Sequence, residues 1–200
     1  MNQHFSDKKS LAIIKKKEAL RNEMKFKRVQ LSDEEIKAKS QTIEKKVLAL
    51  PVLQQAKIIM CYVSKDTEVT THQLIKNLLR MGKTVAVPFI IKKGLMRAAV
   101  IEDFSQLFVG DFNTLQPKIK NFLDEKIDLN LVPALAVSKK GDRLGWGAGF
   151  YDRFIIDHQP KLNLALVFES QLVDQLPVNS FDQKMDGVVT ENRSIFYHNL

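Results

Sequence analysis

The chain has 200 residues, 44% of them hydrophobic, and a formal net charge of +8. That length suits one domain with a sizeable core, here taken as residues 1–200. Cys61 is the only cysteine, which excludes a disulfide framework and a cysteine-rich zinc site, and its apolar neighbours read as those of a core thiol. The opening MNQHFSDKKS is polar and unlike a signal peptide, and the longest apolar runs, at 58–63 and 164–168, are too short to cross a bilayer. A cytoplasmic protein without membrane contact is the expectation.

The positive excess favours an anionic partner and is concentrated early. Lys8, Lys9, Lys15, Lys16, Lys17, Arg21, Lys25, Lys27 and Arg28 stand against Glu18 and Glu23. Nucleic acid, a membrane surface or a polyanionic small molecule would each explain this, as would a solvated helix face. The periodicity there predicts a helix, with Ile13, Lys17, Leu20 and Met24 on one side and Leu11, Ile14, Glu18, Arg21 and Lys25 on another. Lys17 and Arg21, spaced i, i+4, emerge together. Ser32-Asp33-Glu34-Glu35 is a capping box with Leu31 and Ile36 as its hydrophobic staple. It opens a second helix that buries Ile36, Ile43, Val47 and Leu50 and closes at Pro51.

From Lys57 the pattern alternates. Residues 57–63 form a short apolar run rich in β-branched side chains, a buried strand. A polar loop over 64–70 leads to a helix near 71–81 that stops at Gly82. Residues 83–89 are the next strand, and the turn Lys92-Lys93-Gly94 lets 95–101 return as a hairpin arm. Further strands are expected at 127–137 and 162–168, with short β signals at 186–190 and 194–197. This is an α/β pattern: a single domain with a mostly parallel sheet flanked by helices, Rossmann-like and three-layered, preceded by an N-terminal helical pair. In such sheets ligands gather beyond the carboxyl ends of the strands, so the loops after Val63, Val137 and Phe168 are the places to look.

Four of the eight glycines, Gly141, Gly145, Gly147 and Gly149, fall within KKGDRLGWGAGFYDR. Glycines clustered before a helix let backbone amides surround an anion, and Arg143 adds a fixed charge suited to phosphate oxygens. A set of tight turns would read the same way. The Gly-Lys-Ser/Thr ending of a Walker A loop is missing, and GxGxxG fails at Phe150. A preceding strand, a following helix and Glu169 in the region of an acidic ribose partner nevertheless keep a nicotinamide-dinucleotide oxidoreductase open. The basic helix keeps a nucleic-acid-binding module open, although no recognition motif accompanies it. His4, His72, His158 and His198 have no metal-ligand spacing.

RLGWGAGFYDR (143–153) resembles the signature loop of the 5-formyltetrahydrofolate cyclo-ligases. KEALR (17–21), VSKDTEVTT (63–71) and QKMDGVVTE (183–191) are similar to other segments of that family, in its order and over nearly the whole chain. The resemblance implies an enzyme that uses ATP and Mg²⁺ to convert 5-formyltetrahydrofolate into 5,10-methenyltetrahydrofolate. Its partners would be small molecules, ATP and a reduced folate, with no nucleic acid, and it would act as a monomer. Carried over by position, Lys17, Arg21 and the loop Arg143, Leu144, Gly145, Trp146, Gly147, Ala148, Gly149, Phe150 and Tyr151 would bind ATP, with Arg143 as the catalytic residue. Val63, Glu68 and residues 146–150 would face the folate, and Asp152 and Asp186 would hold magnesium. Four positions depart from the family pattern. Val137-Ser138 stands in place of an aromatic and an aspartate, so Ser138 is given no role. Trp146 stands where a basic or smaller aromatic side chain is usual, and Ala148 lacks a charge that some members carry.

Overall fold

The computed structural model describes residues 2–110 and 113–197, with side chains from residue 11 onward. Lys8, Lys9, His4 and His198 therefore fall outside the described side chains. Helix α1 spans Asn2–Val29 and α2 spans Asp33–Ala49. The capping box is formed: Ser32 Oγ accepts from the Glu35 amide at 3.2 Å, and Glu35 Oε2 accepts from the Ser32 amide at 2.8 Å. Leu31 and Ile36 both pack on the main core, as a staple requires. Pro51 does more than end α2. Leu50 is extended, and Pro51 opens a five-residue helix, α3 (Pro51–Gln55), at the one position where its missing N–H costs nothing.

Strand β1 (Ile58–Cys61) leads through α4 (His72–Arg80) to β2 (Thr84–Lys92), which turns at Lys93-Gly94 into β3 (Leu95–Ile101). A small arm, β4 (Leu107–Val109) and β5 (Leu115–Pro117), precedes β6 (Leu129–Pro133). The strand expected over 127–137 is two. After Pro133 the chain leaves the main sheet, and β7 (Ala136–Ser138) pairs instead with β8 (Arg143–Leu144) and β10 (Leu172–Val173). Between these lie α5 (Phe150–His158) and β9 (Asn163–Leu166); β11 (Gly187–Val189) and β12 (Ser194–Phe196) end the described chain.

The main sheet has the order β12-β11-β9-β6-β1-β2-β3. Its five inner strands are parallel, and the two edge strands, β3 and β12, are antiparallel to their neighbours. Alternation along the strands builds two cores. Ile59, Cys61, Leu129, Leu131, Leu164 and Leu166 face α2, α3 and α4, where they meet Ile43, Val47, Leu53, Leu74 and Leu78. Met60 and Ala86 face Phe154 of α5, while Val132, Ala165 and Val188 face its Ile155. This is the three-layer arrangement expected, with helices on both faces of a mostly parallel sheet. Each fully buried Leu or Ile contributes about 1.5–3 kcal/mol. Helix α1 lies elsewhere: Met24 packs with Leu135, Ala136, Leu144 and Leu176 against the small three-stranded sheet. From β1 the chain moves to β2 on one side, and β6 returns on the other. The crevice between the carboxyl ends of β1 and β6 is thus the topological switch point.

Candidate functional site

A cavity of about 580 Å³ opens at that switch point, a size suited to small-molecule ligands. Its walls include segments distant in sequence: the stripe of α1 bearing Lys17 and Arg21, the loop after β1 with Val63 and Glu68, the β2–β3 hairpin, the loop 143–152, and Asn179 and Asp182 from the loop before β11. Lys65 of the loop after β1 and Lys93 of the β2–β3 turn add positive charge. With Lys17, Arg21 and Arg143 they outnumber Glu68, Asp152 and Asp182, so the space suits an anion.

Helix α1 turns its charge inward. Lys17, Met24 and Arg28 are buried along one stripe, the spacing i, i+7, i+11 returning to the same side of the helix. Lys17 Nζ pairs with Asp182 Oδ2, and Arg21 Nε donates to the Gly145 carbonyl at 2.9 Å. Arg28 Nε donates to the Thr67 carbonyl at 3.1 Å. One helix therefore touches three walls of the cavity through Lys17, Arg21 and Arg28.

The loop after β1 is closed by reciprocal bonds. Ser64 Oγ accepts from the Thr71 amide and Thr71 Oγ1 from the Ser64 amide, both at 3.0 Å, while Tyr62 Oη donates to the Val69 carbonyl at 2.8 Å. These hold Glu68 against the cavity. Its Oε2 accepts from the Lys65 amide at 3.1 Å and its Oε1 from the Trp146 indole N–H at 2.9 Å. Burial pushes the Glu68 carboxyl upward, opposed by the Lys65 amide, the Arg28 guanidinium and the Trp146 indole. Trp146 is 40% exposed, and its ring lies under Arg28, Lys25 and Lys65, whose cationic groups are 5.2, 5.3 and 6.0 Å from the centroid. The aromatic side chain here gathers cations from two neighbouring segments, α1 and the loop after β1.

In the glycine loop Gly147 and Gly149, which caps α5, hold φ at +109° and +66°, and a Cβ on Gly145 would lie 2.5 Å from Arg143 Nη1. Arg143 is almost fully buried. Its Nη1 donates to the Pro133 carbonyl at 3.4 Å and its Nη2 to Asp152 Oδ1 at 2.9 Å, leaving a buried Nε without an acceptor among the described residues. Asp152 Oδ1 also accepts from the Gln183 amide at 3.2 Å. Phe150 and Tyr151 line the cavity from the first turn of α5, completing the segment from Arg143.

Two of the sequence readings are not brought to the cavity. Asp186, carried over from the family resemblance, does not line it. It sits at the amino end of β11, where its Oδ2 accepts from the amide and side-chain amide of Asn163 at 2.7 and 3.3 Å. Glu169 is equally committed: it accepts from Thr190 Oγ1 and from Arg193, each at 2.6 Å, and lies off the cavity, so it does not face the glycine loop as a ribose partner would. In turn, sequence reasoning missed Asp182 and passed over Arg28 as one cation among many. Asp182 and Lys17 lie 165 positions apart, with no local pattern to join them. Arg28 did carry a signal: it continues the Lys17–Arg21–Met24 stripe by one turn. Ser138, given no role, packs inward and donates to Asp142 at 2.9 Å.

A model of the 5-formyltetrahydrofolate cyclo-ligase family matches residues 13–191. A mouse 5-formyltetrahydrofolate cyclo-ligase is 31% identical over 190 residues, covering 88% of this chain and 94% of that protein. One from Haemophilus influenzae is 31% identical over 175 residues, with 84% and 93% covered. Among solved structures, the 5,10-methenyltetrahydrofolate synthetase of Aquifex aeolicus superposes with a TM-score of 0.83 at 26% identity, over 92% of this chain and 93% of that one. That of Mycoplasma pneumoniae, at 24% identity and a TM-score of 0.70 over 88% and 98%, shares the fold. The chain belongs to the 5-formyltetrahydrofolate cyclo-ligase family, whose members are ATP-dependent ligases.

Proposed function

We propose that this cavity binds ATP and 5-formyltetrahydrofolate together and closes the one-carbon bridge to give 5,10-methenyltetrahydrofolate, ADP and phosphate. The observation that carries it is the convergence of Lys17, Arg21, Arg143, Glu68 and the glycine loop on one space at the switch point of the sheet. An N-formyl amide is a poor electrophile with a poor leaving group. Transfer of the γ-phosphoryl group to the formyl oxygen, with ADP leaving, supplies a leaving group and an iminium-like carbon. N10 then attacks that carbon, phosphate departs, and the N10 proton passes to phosphate or water. The formyl oxygen has no proton to lose, so the first step needs positioning and charge stabilisation and no general base.

Lys17, Arg21, Arg143 and the amides of residues 143–151 take the phosphates; Val63, Glu68 and residues 146–150 take the folate. Glu68 keeps acceptor capacity for pterin N–H groups beyond its bonds to Lys65 and Trp146. Phe150 and the indole of Trp146 form an apolar wall that keeps water from the phosphorylated intermediate. The family implies Mg²⁺, and the donor set fits it. Asp152 lies on the cavity, and Asp182 stands beside it, because its neighbour Gln183 donates to Asp152. One or two carboxylates with phosphate oxygens suffice for this ion, in keeping with the lack of a three-ligand cluster among the described residues. When bound, it would neutralise charge on the transferring phosphate. Asp152 is the carboxylate proposed to hold it; Asp186 is not. No helix among the described residues is long and apolar enough to cross a membrane, and the reaction is proposed for a monomer in the cytoplasm.

The test is direct. Purified protein incubated with 5-formyltetrahydrofolate is followed at the near-ultraviolet absorbance of the methenyl product. Product is expected only with ATP and Mg²⁺ both present. Full turnover without nucleotide would remove the phosphorylation step, and none under any condition would remove the proposal.

A further inference from the structure

Arg28 is 1% exposed, and both its terminal nitrogens are buried without a hydrogen-bond acceptor among the described residues. A guanidinium is never neutral in practice, so a buried one with two idle nitrogens is costly unless opposite charge lies close. Helix packing alone would be served by a Leu or Met at this position of the stripe. What surrounds it is the folate wall: among the described residues its one hydrogen bond reaches the Thr67 carbonyl, one residue before Glu68, and its charge lies 5.2 Å from the centroid of Trp146, whose N–H is spent on Glu68.

We propose that Arg28 is a positioning residue for the reaction: from the last turn of α1 it anchors the loop that bears Glu68 and the Trp146 indole bonded to it, so that the folate wall is preset before substrate arrives. The part of this that concerns folate rests on the assignment of Glu68 made above; the Arg28–Trp146–Glu68 arrangement does not. Other groups lie around Glu68 as well. Lys65 of the Glu68 loop, Tyr62 after β1 and Tyr151 of α5 act on it directly, while Asp66 acts on Arg28, Cys61 on the two tyrosines, and Lys25 reaches the same indole from α1. Burial raises both tyrosines well above their ordinary range and raises the thiol too, so near neutral pH none of the three carries a negative charge that would oppose ionisation of Glu68. Of the cations, Arg28 is the buried one and Lys65 is half-buried. Burial of Glu68 favours its neutral form, and the guanidinium opposes that.

Trp146 is the only tryptophan, so its emission reports this arrangement without any ligand. Fluorescence against pH, with circular dichroism to confirm folding, is measured on the full chain as wild type, Arg28→Met, Arg28→Gln, Arg28→Lys and Glu68→Gln. Wild type should show a transition that Glu68→Gln abolishes. Arg28→Met should move its midpoint up by about one pH unit, and Arg28→Lys should bring it back toward wild type. If Arg28→Met does not fold, Arg28→Gln, which keeps a donor for the Thr67 carbonyl, is read in its place. The same variants then bind 5-formyltetrahydrofolate, where loss of the charge is expected to weaken affinity about tenfold at neutral pH, with ATP affinity changed less. An unmoved midpoint, or a transition that survives in Glu68→Gln, overturns the proposal. A moved midpoint with unchanged folate affinity supports the anchoring of Glu68 and removes instead the assignment of that carboxylate to the substrate.

Discussion

At the amino end of the central sheet, Asp128 accepts from the amides of Lys57 and Ile58 at 2.8 and 3.0 Å and from Lys161 at 2.7 Å, and Asp186 accepts from the amide of Asn163. At the carboxyl end, Arg143 keeps a buried Nε and Arg28 two buried nitrogens without acceptors, and Asp152 shares one oxygen between Arg143 and Gln183. The contrast follows from the direction of the strands. The first residues of parallel strands present amides that their neighbours do not take up, and a short carboxylate satisfies them. At the other end, loops rather than ladder groups meet the side chains, and unspent hydrogen-bonding capacity remains for a ligand. Among the described residues, Asn130 Oδ1, inside the sheet, is the one buried side-chain polar atom without a partner outside this division. An aspartate beside a glycine is thus structural or functional according to which end of the sheet it occupies.

The comparison is broken most severely at Arg143. Arg143→Lys keeps a charge but loses the planar fork that reaches Pro133 and Asp152 together. Turnover should fall at least about tenfold, equivalent to about 1.4 kcal/mol of transition-state stabilisation. Wild-type kinetics in the folded variant would show that Arg143 merely ties β8 to α5. A smaller and sharper test pairs two aspartates. Asp152→Asn should lower turnover roughly fivefold and raise the Mg²⁺ needed for half-maximal rate, by removing charge from a group that faces the phosphates. Asp186→Asn should leave rate and Mg²⁺ requirement unchanged and lower unfolding free energy by about 1 kcal/mol. If Asp186→Asn alters the Mg²⁺ requirement and Asp152→Asn does not, the division between the two ends of the sheet is wrong.

Much of this was legible in the sequence because it is local. The Ser32–Glu35 box, the hairpin turn at Lys93-Gly94, the alternation that separates Ile59 and Cys61 from Met60, and the glycines before Phe150 each state their structure within a few residues. The glycine loop also marked the cavity, since close backbone approach leaves a compositional trace. What was not legible depends on long-range pairing. Lys17 with Asp182, and Glu68 with Trp146, join segments 165 and 78 positions apart. The partner of Asp186 was hidden for the same reason: its bonds to Asn163 cross 23 positions. Splitting of the 127–137 run into β6 and β7 was hidden because both halves are apolar and buried, and only their different partners separate them.

The smallest expected effect lies wholly at the amino end and concerns pH. Burial pushes the Asp128 carboxyl up, but Lys161 and the amides of Ile58 and Lys57 outweigh it and hold the group at about 2, below its ordinary 3.8. The unfolded chain therefore takes up this proton first as pH falls. The stabilisation is complete above about 4 and is lost as pH drops through the window from 3.8 to about 2. Asp128→Asn removes the charge while keeping the shape, so it should cost at most about 1 kcal/mol at neutral pH, given that Lys161 reaches Asp128 from an exposed position. Denaturant unfolding of both proteins from pH 7 downward should show the gap between them narrowing across that window, because the wild-type side chain becomes neutral too. Folate turnover at neutral pH should be the same in both. A gap that stays constant with pH would mean that Asp128 acts by shape alone, and a fall in turnover would mean that the amino end of the sheet is not isolated from the cavity at the other.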